Sequence, residues 1–273
     1  MLNTITKLLS IFLLIIINHA ANSQKIVVAK DGTGTFKSIQ AAINSLDTTS
    51  IKMRTIFIKN GVYNEKIYLE KSFVCLKGES EKGVIISITL PRDAWRCANP
   101  DDYGVATINV KGHDLVFEKL SIINDYGLKA KGDTTIVCVS ESGKVGAVLK
   151  DRYALPREKN ETEGTKIIRK DGHQFAFRSL PGGTRLVFKN CTFIAGGGDT
   201  VSPWDVEGGL YYFKNCTMEG HVDFYCPRGW AWAENCRFIC HNMNAAIWDD
   251  GTNHESSKTV LKTVLLKEIR GTN

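Results

Sequence analysis

One short pattern returns three times in this chain at nearly constant spacing. It runs from Leu186 to Phe193, from Tyr211 to Met218 and from Ala231 to Phe238, with Asn-Cys at the fifth and sixth positions of each copy. The cysteines Cys191, Cys216 and Cys236 lie 25 and then 20 residues apart. A period of about 20–25 residues with one strand-like run per copy is what a coiled β-solenoid produces. Leu115 to Ile122 reads as an earlier, cysteine-free copy. Strands stacked in such a coil lie roughly 4.8 Å apart, so equivalent positions in successive coils touch. The three thiols are therefore expected in the solenoid interior, and Asn190, Asn215 and Asn235 in a ladder at one internal corner.

The same spacing singles out two carboxylates. Asp199 lies 8 residues after the first repeat cysteine and Asp223 lies 7 after the second. Adjacent coils would bring them together, and like charges that close push one pKa up and the other down. A nucleophile and a proton donor can be made that way. At the same offset the third copy has Met243 or Asn244, so the acid pair belongs to one place in the coil. Asp-Thr and Val-Asp also occur widely in turns, but repeat-equivalent spacing favours chemistry.

The N-terminus reads differently from the rest. One positive charge, Lys7, precedes an almost unbroken apolar run from Leu8 to Ile17, and Ala21-Asn22-Ser23 offers small residues for cleavage before Gln24. This is the pattern of a secretory leader over residues 1–23, and the run is too short for a membrane span. No later segment is apolar enough to cross a bilayer, so a secreted protein is expected, in the extracellular space, cell wall or periplasm. Export permits a disulfide among Cys75, Cys97, Cys138, Cys226 and Cys240, whose spacing suggests no metal site. Hydrophobic residues make up 43% of the chain and charged ones 23%, ordinary for a folded domain. The net charge of +6 suits an anionic partner without naming one. Basic runs interleaved with aromatics, as nucleic-acid binding would favour, are missing.

Along the remaining chain, Phe36, Ile39 and Ile43 have helical spacing and predict one short N-terminal helix. Asn60-Gly61 predicts a tight turn, with Tyr63 and Glu65 in structural rather than chemical roles. Short strands bounded by Gly, Asn, Asp or Lys recur from Phe73 to Ile123. Residues 129–172 break that rhythm with charge and glycine, and are expected to form a long excursion from one coil, a hairpin lining a groove. Trp230 and Trp232 share one face of a strand, where they either stack on sugar rings or pack in the core. Asn160, Asn190 and Asn215 head Asn-x-Thr sequons, the last two inside the repeated corner.

Together these residues resemble the pectin methylesterases (pectinesterases, carbohydrate esterase family 8). Val28 to Ile43 looks like the family's opening segment, and Gly61-Val-Tyr-Asn-Glu65 is similar to its Gly-x-Tyr-x-Glu. Leu76 to Ser80 and Ala106-Thr107 continue the likeness in order, Gly198-Asp-Thr200 resembles Gln-Asp-Thr, and Val222-Asp-Phe224 resembles the nucleophile segment. The resemblance implies an all-β fold, a single-stranded right-handed parallel β-helix (a pectin-lyase-like solenoid), over residues 24–273. It implies hydrolysis of the methyl esters of polygalacturonate, in cell-wall modification or pectin breakdown. Asp223 would attack the ester carbonyl, and Asp199 would protonate methanol and then activate water, a division that suits an ionised nucleophile beside a neighbour of raised pKa. Pectin is the implied partner of a monomer that needs no cofactor or metal and binds neither nucleic acid nor, once the leader is removed, a membrane.

Departures fall on the charge and hydrogen-bond partners of that chemistry. Gly198 stands where the family has a glutamine. A second family glutamine aligns with His173 without a gap, or with Gln174 if the strand slips by one, so both are oxyanion or substrate candidates. The arginine of a Leu-Gly-Arg-Pro-Trp segment, which holds the nucleophile ionised, has no counterpart. After Lys262 the repeat is expected to break, Arg270 lies outside any matching motif, and the C-terminal coils look missing. Weak or absent hydrolysis is the resulting expectation unless Arg178 or Arg228 supplies the cation, and nothing in the sequence aims either one. A catalytically impaired, polyuronate-binding β-helix is the alternative. A lyase on the same fold would need a calcium-binding carboxylate cluster that the sequence lacks.

Overall fold

A computed structural model of the protein describes residues 26–99, 101–138, 164–243, 245–248, 255 and 257–269. The expected leader, the stretch 157–163 with Asn160, Asn244 and Arg270 lie outside the described residues. Within them the chain winds through three parallel sheets in turn, the later coils meeting the third only through isolated bridges at Tyr225 and Ile247. Sheet A holds eight strands in chain order, among them Leu115–Glu118, Leu186–Lys189, Leu210–Lys214, Trp230–Glu234 and Lys258–Lys262. Sheet B holds seven, ending in Thr192–Ala195, Thr217–Gly220, Arg237–Cys240 and Leu265–Glu268. Sheet C holds Ile67–Leu69, Ile108–Val110, Phe177–Ser179 and Val201–Ser202. Spatial order following chain order in every sheet makes this a parallel β-helix, as the repeat implied.

The repeat residues explain the corner and the core. Between sheets A and B, Lys119, Asn190, Asn215, Asn235 and Thr263 all take left-handed φ values, from 51° to 56°. Asparagine tolerates that region best among residues with a side chain, which accounts for its recurrence. Asn215 Nδ2 donates to Asn190 Oδ1 at 3.2 Å, but the ladder is not internal, since Asn215 and Asn235 are exposed at an outer corner. Inside, Phe117, Phe188 and Phe213 stack in register at 4.9 and 4.5 Å between ring centroids. Burying each ring contributes roughly 1.5–3 kcal/mol. The thiols of Cys191, Cys216 and Cys236 are buried, each donating to a carbonyl one coil back, of Phe117, Phe188 and Phe213.

The repeat does not break after Lys262. Lys258–Lys262 pairs in register with Trp230–Glu234, Thr263 takes the left-handed corner, and Leu265–Glu268 pairs with Arg237–Cys240. Val264 packs against the core where the earlier copies have cysteine. The sequence hid this coil because threonine and valine replaced both marker residues.

At the other end, helix Ile39–Asn44 lays Ile39, Ala42 and Ile43 over the open solenoid. Glu65 holds it, accepting from Ser38 Oγ at 2.7 Å and from the Ile39 and Gln40 amides at 3.2 and 3.1 Å. A second helix, Arg92–Ala98, was not legible in the strand rhythm. Cys97 in that helix forms a disulfide with Cys138. Cys138 ends the first strand of an antiparallel hairpin, Thr134–Cys138 with Gly164–Ile168, so the excursion is a hairpin tied to the coil beside it. Glu65→Ala is expected to lower stability by about 1–2 kcal/mol through loss of these helix-end bonds. The check is the urea midpoint at constant slope; an unshifted midpoint would show that the helix does not depend on Glu65.

Candidate active site

Asp199 and Asp223 occupy the same place in successive coils, in the loop that leads from sheet B into sheet C. Val201 bridges Tyr225 in parallel, which sets Asp199 opposite Asp223. Both take left-handed φ values, 57° and 49°, a conformation that costs a non-glycine residue about 1 kcal/mol or more. Backbone bonds fix the two loops together: the Asp199 amide donates to Val222 O at 3.3 Å, and the Asp223 amide to Ala245 O at 2.7 Å. Ala245, not Met243 or Asn244, thus ends the carboxylate column, because the third loop takes nine residues from its cysteine to this place where the second takes seven.

Burial raises the Asp223 pKa first, the neighbouring Asp199 charge raises it further, and Arg228 opposes both. The upward shift falls on Asp223, whereas the proton shuttle was the partner expected to carry it. His173 approaches from the preceding coil, with Nε2 3.6 Å from Asp199 Oδ2. Burial lowers its pKa, and the Asp199 charge only partly offsets that. A neutral imidazole can donate one N–H without bringing a charge.

Two buried arginines complete the electrostatics. Arg178 points outward from sheet C, with Nη1 donating to Ser202 Oγ at 2.8 Å and Nη2 3.8 Å from Asp102 Oδ2. Arg228 donates Nη1 to Cys226 O at 2.7 Å. Its guanidinium lies 4.1 Å from the Trp204 ring and 3.7 Å from the Trp248 ring, while Arg178 lies 4.2 Å from Trp204. The resulting stack runs Arg178, Trp204, Arg228, Trp248. Each arginine keeps a buried Nε without a hydrogen-bond partner. Register carries this arrangement as well: Trp204 bridges Arg228 and Arg178 pairs with Ser202, each 24 residues apart, as are the two aspartates. Among the described residues no three His, Cys, Asp or Glu side chains are grouped to hold a metal ion.

Residues 25–148 match the Pectinesterase family model. Pectinesterase A from Dickeya chrysanthemi is 30% identical over 252 residues, covering 88% of this chain and 59% of that protein. Among solved structures, pectin methylesterase PemA from Erwinia chrysanthemi superposes with a TM-score of 0.57 at 26% identity, over 82% of this chain and 57% of that one. A pectin methylesterase in complex with a hexasaccharide shares the fold, with a TM-score of 0.60 at 24% identity over 93% and 68%. The chain belongs to the pectinesterase family. It spans about three-fifths of the length of the first of these relatives, at 59%.

A Cβ on Gly198 would sit 2.8 Å from Val222 O, so the close loop contact leaves no room there for a glutamine side chain. Gln174 is not a donor to the pair: it is fully buried, accepts from the Gly127 amide and donates to Lys170 O, tying down the base of the hairpin. His173, the gap-free alternative, is the residue that reaches Asp199. Trp230 and Trp232 are not in the core: they stand on the outer face of sheet A, half exposed, in a groove that contains neither aspartate. Proton NMR of the imidazole provides a check. His173 is expected to titrate below 6.5, and lower still in Asp199→Asn, which removes the charge that supports protonation. A midpoint at or above 6.5 would contradict this environment.

Proposed function

We propose that this protein hydrolyses the methyl esters of polygalacturonate. The observation that carries the reading is the coil-equivalent pair Asp199 and Asp223 beside a buried guanidinium, in a chain of the pectinesterase family. In the form of the coupled pair that carries its one proton on Asp199, ionised Asp223 adds to the ester carbonyl carbon, and the tetrahedral oxyanion accepts a hydrogen bond from neutral His173. As the intermediate collapses, the C–O bond to methoxide breaks and Asp199 delivers its proton, so methanol leaves and an anhydride with Asp223 remains. Asp199, now a carboxylate, takes a proton from water as the hydroxide adds to the anhydride. Cleavage then returns Asp223 as a carboxylate and leaves the galacturonic acid group, which loses its proton to solvent.

Arg228 takes the part that the resemblance assigns to an arginine in a later coil. Its charge opposes the two influences that protonate Asp223, and its stacking between Trp204 and Trp248 holds it in place. A raised pKa also makes the ionised carboxylate a stronger nucleophile, at the cost of needing a higher pH to be ionised. The working form is read as a secreted monomer, released by cleavage before Gln24, acting on pectin outside the cytoplasm without cofactor or nucleic acid. No helix among the described residues is long and apolar enough to cross a membrane.

Methanol release from methylated pectin is the test. Asp223→Ala is expected to lose about a thousand-fold or more in kcat, as removal of a covalent nucleophile does. Arg228→Met fills the same slot without charge, and should move the acid limb of kcat/KM, already above the ordinary 3.8 of Asp223, to higher pH. Undiminished methanol release by Asp223→Ala, or none from the folded parent protein, would overturn the reading.

A further inference from the structure

The outward side chains of sheet A form columns along the solenoid axis. One column is apolar and aromatic: Val116, Val187, Tyr212, Trp232 and Val260, paired strand to strand in register. Trp230 stands beside it, between Leu210 and Lys258 on the neighbouring strands. Trp230 is 50% exposed and Trp232 42%, and together they line a groove of about 470 Å³. Exposed aromatic surface of this extent on a folded domain marks a binding face.

The next column is charged. Lys77 pairs with Glu118 at 3.0 Å and Lys262 with Glu234 at 3.4 Å. Between those pairs, Lys189 and Lys214 sit opposite one another on adjacent strands, flanked in register by Glu118 and Glu234, so the stretch carries two adjacent ammonium groups between two carboxylates. Like charges directly opposite in a sheet repel, and an anion lying across both would add to the relief that the flanking glutamates give. Lys258 adds a third ammonium 6.0 Å from the Trp230 ring. Aromatic faces bordered by adjacent ammonium groups suit a chain of pyranose rings with carboxylates: ring C–H faces lie on the indoles and carboxylates meet the lysines.

We propose that the outer face of sheet A binds polyuronate, at a site separate from the acid pair. The inference rests on the esterase reading for its choice of polymer. Each hydrolysed ester replaces a neutral group with a carboxylate, so this face favours stretches already demethylated over fresh substrate. Holding the product part of a long chain keeps its remaining esters at high local concentration near the aspartates.

The experiment measures binding of fully demethylated polygalacturonate by affinity electrophoresis and calorimetry. Asp223→Asn should bind as the parent protein does. Trp230→Ala/Trp232→Ala and, independently, Lys189→Glu/Lys214→Glu should each bind at least about ten-fold more weakly. Added salt should weaken parent binding. Unchanged affinity in both double variants would overturn the proposal. So would equally tight binding of a single-stranded oligonucleotide, or a concentration-dependent dimer in sedimentation that the tryptophan variants abolish. Parent protein that binds the polymer but releases no methanol would leave this face standing and remove the esterase reading alone.

Discussion

Everything at the candidate site depends on one constraint: the parallel backbone ladder that locks each coil onto the last in fixed register. Through the site that register is 24 residues, and it converts a distance along the sequence into a neighbour in space. Asp199 meets Asp223, Trp204 meets Arg228, and Arg178 meets Ser202 through the same repeat. Register of this kind is stiff, because a one-residue slip would turn every core phenylalanine outward. The left-handed backbone at both aspartates is held against its own strain by amide bonds to the following coil.

Placing charges in such a wall is expensive unless they are partnered. Here two carboxylates face two guanidinium groups, and aromatic rings take the place of water around the cations. A guanidinium is weakly hydrated and stacks on indole, an interaction worth about 2 kcal/mol when desolvated. The same rings keep solvent from screening, which strengthens the pull of Arg228 on Asp223. In the proposed mechanism the cation that the resemblance draws from a later coil comes from Arg228, five residues beyond Asp223.

The fold was legible in the sequence because its signals are local and repeated: an alternating strand, then asparagine at a left-handed corner, then a buried cysteine. Where those markers changed to Thr263 and Val264 the coil persisted unseen, since backbone pairing tolerates the exchange. The acid pair was legible from spacing alone. Its cations were not, although Trp204 and Arg228 share the aspartates' offset, because no motif marks a stacked guanidinium. Gln174 was indistinguishable from a site residue until its amide was found holding the hairpin base. Trp230 and Trp232 were correctly placed on one face of a strand, but only the path between sheets decides that this face looks away from the aspartates.

The central claim is that one-coil register couples the two carboxylates. It is tested most directly by following the Asp223 carboxyl carbon by NMR across pH, in the parent protein and in Asp199→Asn. The account predicts a midpoint above the ordinary 3.8 in the parent, and a lower one once the Asp199 charge is removed. An Asp223 midpoint that does not move in Asp199→Asn would contradict it.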